Sequence, residues 1–206
     1  MSRLDEVPQI VVDSRAEWRA WLEANAAQSG SIWLVTWKKA AAGKRGLPFV
    51  GYDALVEEAL CFGWIDSLPR ALDLERTMLL FSPRKRGSSW SRVNRVRIAR
   101  LQEANLMNAR GSAVLEQAVE DGSWSRLEAV DDLTLPRDLA DALAGNAVAA
   151  GFFARFPASS RRAILEWITI ARTPQTRARR VALTVERAGE NRKANFPAGR
   201  DRGPEL

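Results

Sequence analysis

Near residue 90 the hydrophobic pattern of this chain changes its period. Before that point, short aromatic and β-branched runs such as Ser31–Trp37, Trp64–Leu68 and Arg76–Phe81 are separated by Gly- and Pro-bearing breaks. Such runs read as strands. From Trp90 onward apolar residues recur every three or four positions, which is the spacing of one helical face. The two patterns together imply an α+β fold: a small, mainly antiparallel sheet packed with helices, followed by a helical C-terminal region.

Local signals place the elements. Gln9–Val12 suggests a short edge strand. Ser14 and Glu17 form a Ser-x-x-Glu capping box. Trp18, Trp21, Leu22 and Asn25 then share one helical face, and Ser29-Gly30 supplies the exit. Lys38–Pro48 reads as a mobile loop and Tyr52–Phe62 as a second helix ending at Gly63. Later helices are expected at about 90–104, 110–121, 136–144, 146–154, 159–171 and 174–188. Thr173-Pro174 makes a strong helix start, because Thr caps and Pro fits the first helical position. The expected organisation is an α+β core region over 1–127, a helical region over 128–189 and a disordered polar tail over 190–206.

Composition removes several chemistries. The chain has no His, so the usual base near neutral pH, the Ser-His-Asp and Cys-His arrangements and every His-ligated metal site are absent. Cys61 is the only cysteine, which excludes an internal disulfide and a Cys-rich metal centre. No cofactor and no metal are expected. Residues 1–13 carry Arg3, Asp5, Glu6 and Pro8 and lack the apolar run of a signal peptide, and nothing resembles a membrane span. Cytoplasm is therefore the expected compartment. Basic residues cluster: Arg84–Arg110 holds 8 basic residues against Glu103, and Arg155–Lys193 holds 10 against 3 acidic ones. Such asymmetry favours anionic ligands, nucleic acid or acidic surfaces, and it is equally the look of a solvated arginine face.

Two segments carry the candidate site. In the helix after residue 90, Trp90, Asn94, Ile98 and Leu101 fall on one face and Arg92 and Arg95 on the other, with Arg97 at the edge. Asn94 thus occupies a hydrophobe's place, as a clamp within the fold or as a ligand-facing amide. The preceding loop, Ser82 to Trp90, gathers Arg84, Lys85, Arg86, Ser88 and Ser89 beside a helix start, a setting that suits a small anion. In the segment Cys61 to Ser67, Trp64 and Asp66 share one strand face. Asp66 can orient an arginine, bind a cation or serve as a catalytic acid or base, and it can equally pair with Arg70 or Arg84. The candidate ligand-binding set is Trp64, Asp66, Arg84, Ser89, Trp90 and Asn94. Cys61 reads as an inert buried thiol.

Several stretches resemble the YdeI/OmpD-associated, bacteriocin-protection family. They are Trp18-x-x-Trp21-Leu22, Ile32-Trp33-Leu34 with Lys38-Lys39, Glu58 through Asp66, and Phe81-Ser82-Pro83-Arg84. The likeness continues through Ser89-x-Trp-Ser-x-x-Asn94, Met107-x-x-x-Gly111, Ala118-x-x-x-Gly122-x-Trp124 and Ala171-x-x-x-x-Thr176-Arg177-x-x-Arg180, so that it spans about residues 12–188. Where the family commonly has Gly-Arg-Met, this chain has Asn105-Leu106-Met107, and Asn105 is expected to take over the left-handed backbone of that glycine. The resemblance implies a role in tolerance to antimicrobial peptides or envelope stress, with contact to an envelope protein.

Three functions follow as expectations. The first is a cytoplasmic stress-associated binding protein for a small anionic or amphipathic ligand. The second is a histidine-independent small-molecule enzyme with Asp66 as acid or base and an arginine as electrostatic clamp. The third is a non-specific nucleic-acid binder using Arg92, Arg95, Arg177, Arg179 and Arg180.

Overall fold

Strand-forming runs that alternate with helices early in the chain give way to helices alone, and the computed structural model of the protein follows that order over residues 4–28 and 30–204. The fold is α+β. Ser29 and the last two residues of the expected tail lie outside the described residues. The chain divides into two compact units. The first takes in the residues up to Ser88 together with Val93–Trp124; the second takes in Ser89–Arg92 and the chain from Ser125.

The first unit is built on a four-stranded sheet of β1 (Gln9–Val11), β2 (Ile32–Trp37), β3 (Trp64–Ala71) and β4 (Arg76–Pro83), in the order β1-β2-β4-β3. β1 runs parallel to β2, and the other two pairings are antiparallel. Pro69 lies within β3, where a missing N–H would break a central ladder. β3 is an edge strand, and its register shifts between Asp66 and Pro69, so the proline is accommodated.

Five helices belong to this unit: α1 (Arg15–Asn25), α2 (Lys39–Arg45), α3 (Tyr52–Cys61), α4 (Arg92–Glu103, from its second residue on) and α5 (Ala109–Glu120). Ser14 caps α1 by accepting from the Glu17 N–H at 3.1 Å, while the Glu17 carboxylate accepts from the Asp13 N–H at 2.8 Å, one residue earlier than a capping box requires. The loop expected over Lys38–Pro48 is largely helical. Its run of three alanines, Ala40–Ala42, favours α2, and Gly46 ends it with φ 64. Asn105 has φ 56 after α4, the left-handed conformation expected of it.

Core packing covers both sheet faces. On one face Trp18 is fully buried, lies 5.2 Å from Phe81 and donates its indole N–H to the Leu55 carbonyl at 2.9 Å. Burial of one such side chain contributes about 1.5–3 kcal/mol. On the other face Trp33, Val35, Met78 and Leu80 cluster with Leu4, Val7 and Leu72. Between α1 and α3, Arg15 and Arg19 both donate to the buried Glu58 carboxylate, at 2.5 and 2.8 Å.

The second unit contains α6 (Glu128–Asp131), α7 (Arg137–Ala144), α8 (Ala147–Arg155), α9 (Ala158–Thr169) and α10 (Pro174–Gly189). Its core includes Leu139, Leu143, Phe153, Phe156, Ile164 and Ile168. Thr173 caps α10 by accepting from the Thr176 N–H at 3.1 Å, with Pro174 in the first turn. The segment from 190 to 204, expected as a disordered tail, instead has a described path along this unit. Ala194 is buried, Arg192 and Arg202 form a β-bridge, and the Gly203 N–H donates to the Asn191 carbonyl at 2.7 Å. A Cβ at Gly203 would lie 2.0 Å from Asn191 Oδ1 and 2.6 Å from the ring of buried Phe156, so a larger residue there would have to displace both side chains. Its polar composition hid these backbone contacts from sequence reasoning.

Candidate functional site

β3 and β4 set the positions of the acid and the first guanidinium. Trp64 and Asp66 pair with Pro83 and Phe81 of β4, so they share the sheet face that the helices cover. Trp64 has no exposed surface. Its indole N–H donates to the Ala26 carbonyl at 3.3 Å and its ring meets Trp21 edge-on at 5.8 Å, so it serves the core and lines no open cleft. Asp66 is half-buried and accepts a 2.7 Å hydrogen bond from the Tyr52 hydroxyl. Arg84 extends the β3–β4 ladder, donating its backbone N–H to the Gly63 carbonyl at 2.9 Å. Burial pulls its guanidinium down to about 10, and the negative charge of Asp66 offsets part of that loss.

Asn94, on α4, accepts a 2.8 Å hydrogen bond from Arg97 Nη1. Arg97 is buried, contrary to its expected place at the helix edge. Its Nη2 donates to Asp53, and its guanidinium lies 5.8 Å from the Tyr52 ring centroid. Asp53 and Tyr52 are the first residues of α3, so one helix start holds both partners. A continuous polar chain therefore runs Asn94–Arg97–Tyr52–Asp66, with Arg84 under the charge of Asp66. Asp66, Arg84 and Asn94 belong to one network, joined by Arg97 and Tyr52. Sequence reasoning missed both linkers. The three-residue step from Asn94 to Arg97 was the available signal for one, and the helix start at Tyr52-Asp53 for the other. Ser89 and Trp90 belong to the second unit, where Trp90 is buried.

Tyr52 leads from this network to an open space. A cavity of about 340 Å³ lies on the helix-covered side of the sheet, with Thr36, Thr77, Leu79 and Pro69 contributed by the strands and Phe49, Val50, Tyr52 and Leu55 by α3 and the segment before it. Trp37, Lys38, Lys39 and Met78 complete the lining, which includes none of the six expected ligand residues. Lys38 donates its ammonium to the Asp73 and Leu74 carbonyls at 2.6 and 3.2 Å. Exposed Lys39 pairs with no carboxylate among the described residues. A largely apolar space with the hydroxyls of Thr36, Tyr52 and Thr77 at its lining and one ammonium that meets no carboxylate suits a ligand with an apolar body and an anionic end. The Tyr52 hydroxyl is pushed up to about 12, first by burial and then by Asp66, so it remains a proton donor at neutral pH.

The other expected chemistries find less. Burial, then the neighbouring Glu58, pushes the Cys61 thiol up to about 11, which leaves it protonated and unreactive. In the second unit Arg177 grips Asp138 through two hydrogen bonds, at 2.6 and 2.9 Å. Arg180 donates to the Trp167 carbonyl and stacks over its ring at 4.9 Å. Two of the arginines expected to meet phosphates are thus committed within the fold. Among the described residues no helix is long and apolar enough to cross a membrane.

Residues 132–191 match the family model described as Bacteriocin-protection, YdeI or OmpD-Associated, which bears out the resemblance and assigns it to the C-terminal helices. No curated protein and no solved structure matches the chain. Residues 10–114, which hold the sheet, the cavity and the Asn94–Arg97–Tyr52–Asp66 chain, match a second model over just over half of the sequence, and the protein belongs to that family, described as Domain of unknown function (DUF8412).

Proposed function

We propose that this protein binds a small amphipathic anion in the cavity of its first unit, and that binding serves the protective role named in the family description of residues 132–191. The observation that carries this reading is the cavity itself: about 340 Å³, walled by Phe49, Val50, Leu55 and Leu79, with the Lys39 ammonium unpaired in its lining. The apolar wall supplies affinity by removing the ligand's body from water. Lys39 selects the sign of its charged end. Tyr52, fixed by Asp66 and Arg97, holds its ring and hydroxyl at the lining without a further ordering cost on binding.

Anilinonaphthalene sulfonate, an amphipathic anion whose fluorescence rises in apolar surroundings, tests the reading. The wild-type protein is expected to bind it saturably. Thr77→Trp, which fills the cavity from the half-buried end of β4, and Lys39→Glu, which reverses the charge, are each expected to weaken binding about tenfold, equivalent to about 1.4 kcal/mol. Unchanged affinity in both variants overturns the proposal.

A further inference from the structure

The second unit has a cavity of its own. It encloses about 290 Å³ among α7, α8, α9 and the turn before α7, near the lower end of the range for small-molecule sites, about 300–1,000 Å³. Leu133, Leu135, Leu143, Ala150 and Phe153 are among its walls, and Arg161 is the one polar side chain in its lining among the described residues. Arg161 Nε is buried with no hydrogen-bond partner, and no carboxylate pairs with this guanidinium among the described residues. Buried polar groups are nearly always satisfied, so a donor left open beside an apolar cavity calls for an acceptor that the described residues do not provide. Leu133 also lines the cavity; its φ of 55 belongs to the cap that ends α6, where the Thr134 N–H donates to the Ala129 carbonyl at 2.8 Å.

We infer that this cavity is a second binding site, independent of the one in the first unit, and that it takes an aliphatic monocarboxylate whose chain lies among the leucines and Phe153 and whose carboxylate meets Arg161. A guanidinium presents parallel N–H donors that match the two oxygens of a carboxylate. The apolar walls leave the other end of the ligand no polar partner, so a second charge at that end is excluded.

Octanoate is the probe, with octanol as its uncharged counterpart, both titrated into the full chain and followed by amide NMR. Octanoate is expected to shift the amides of Ala140, Ala150 and Ala154, and octanol to bind at least tenfold more weakly. Arg161→Met is expected to lose that preference, and Arg161→Lys to keep part of it. Ala154→Phe, at an exposed residue of the lining, is expected to block octanoate while leaving the spectrum of a folded protein. The inference is overturned if octanol binds as well as octanoate, if Ala154→Phe leaves octanoate binding unchanged, or if the shifts fall at Thr36, Tyr52 and Leu79 alone. That last pattern would leave the first unit's site standing and remove only this one.

Discussion

Tyr52 is the single tyrosine of the chain, so its titration can be followed without interference from another phenol. Burial and the Asp66 carboxylate hold it at about 12 rather than its ordinary 10.0. The folded state therefore favours the neutral phenol. Its contribution to stability is complete below pH 10 and is lost as the pH rises towards about 12. Phenolate absorbance should show a midpoint near the raised value, and Asp66→Asn should bring it back towards the ordinary one. A wild-type midpoint at the ordinary value would dissolve the Tyr52–Asp66 contact. At this scale the sequence told half of the story. Asn94 stood out because an amide occupied a hydrophobe's position, and Asp66 because its strand partner was a tryptophan. Arg97 did not, since an arginine at a helix edge is ordinarily a solvated one. Its burial depends on Asp53 and Tyr52, more than forty positions away, and long-range pairing of that kind leaves no local pattern.

Elements show the same division between local and distant causes. Residues that carry their own start and stop signals, such as Ser14 and Thr173-Pro174, formed helices where the signals stood. α2 was hidden because the lysines and glycines around Ala40–Ala42 dilute its signal, although alanine propensity and the Gly46 cap suffice for it. β3 runs through Pro69 because it became the edge of the sheet, a matter of strand order that no local pattern encodes. Packing between α3 and α5 gives a sharp test. A Cβ at Gly111 would lie 2.1 Å from the Cys61 carbonyl oxygen, a backbone atom that cannot step aside. Gly111→Ala should lower stability by about 1–3 kcal/mol or more, as overpacking does. Gly43, inside α2 with open space around it, is the control: Gly43→Ala should raise stability by about 0.5–1 kcal/mol. Thermal or denaturant unfolding of the two variants reads both signs, and a harmless Gly111→Ala would contradict the close approach of α3 and α5.

For the whole molecule, the change of hydrophobic period near residue 90 announced an α+β unit followed by helices, because burial of one face of each element sets that period. It did not announce the cavities. Thr36, Tyr52, Pro69 and Leu79 come from four elements, and a space among them follows from how closely those elements pack, which residue order alone does not state. The chain has no histidine to serve as a base near neutral pH, and the proposed binding site is the cavity of the first unit. NMR with labelled methyl groups at Val50, Leu55 and Leu79 tests that placement most directly, with naphthoate as the titrant. Saturable shifts at these three methyl sites, weakened about tenfold by Lys39→Glu, are the expected result. Naphthoate that leaves all three unmoved would contradict the binding site.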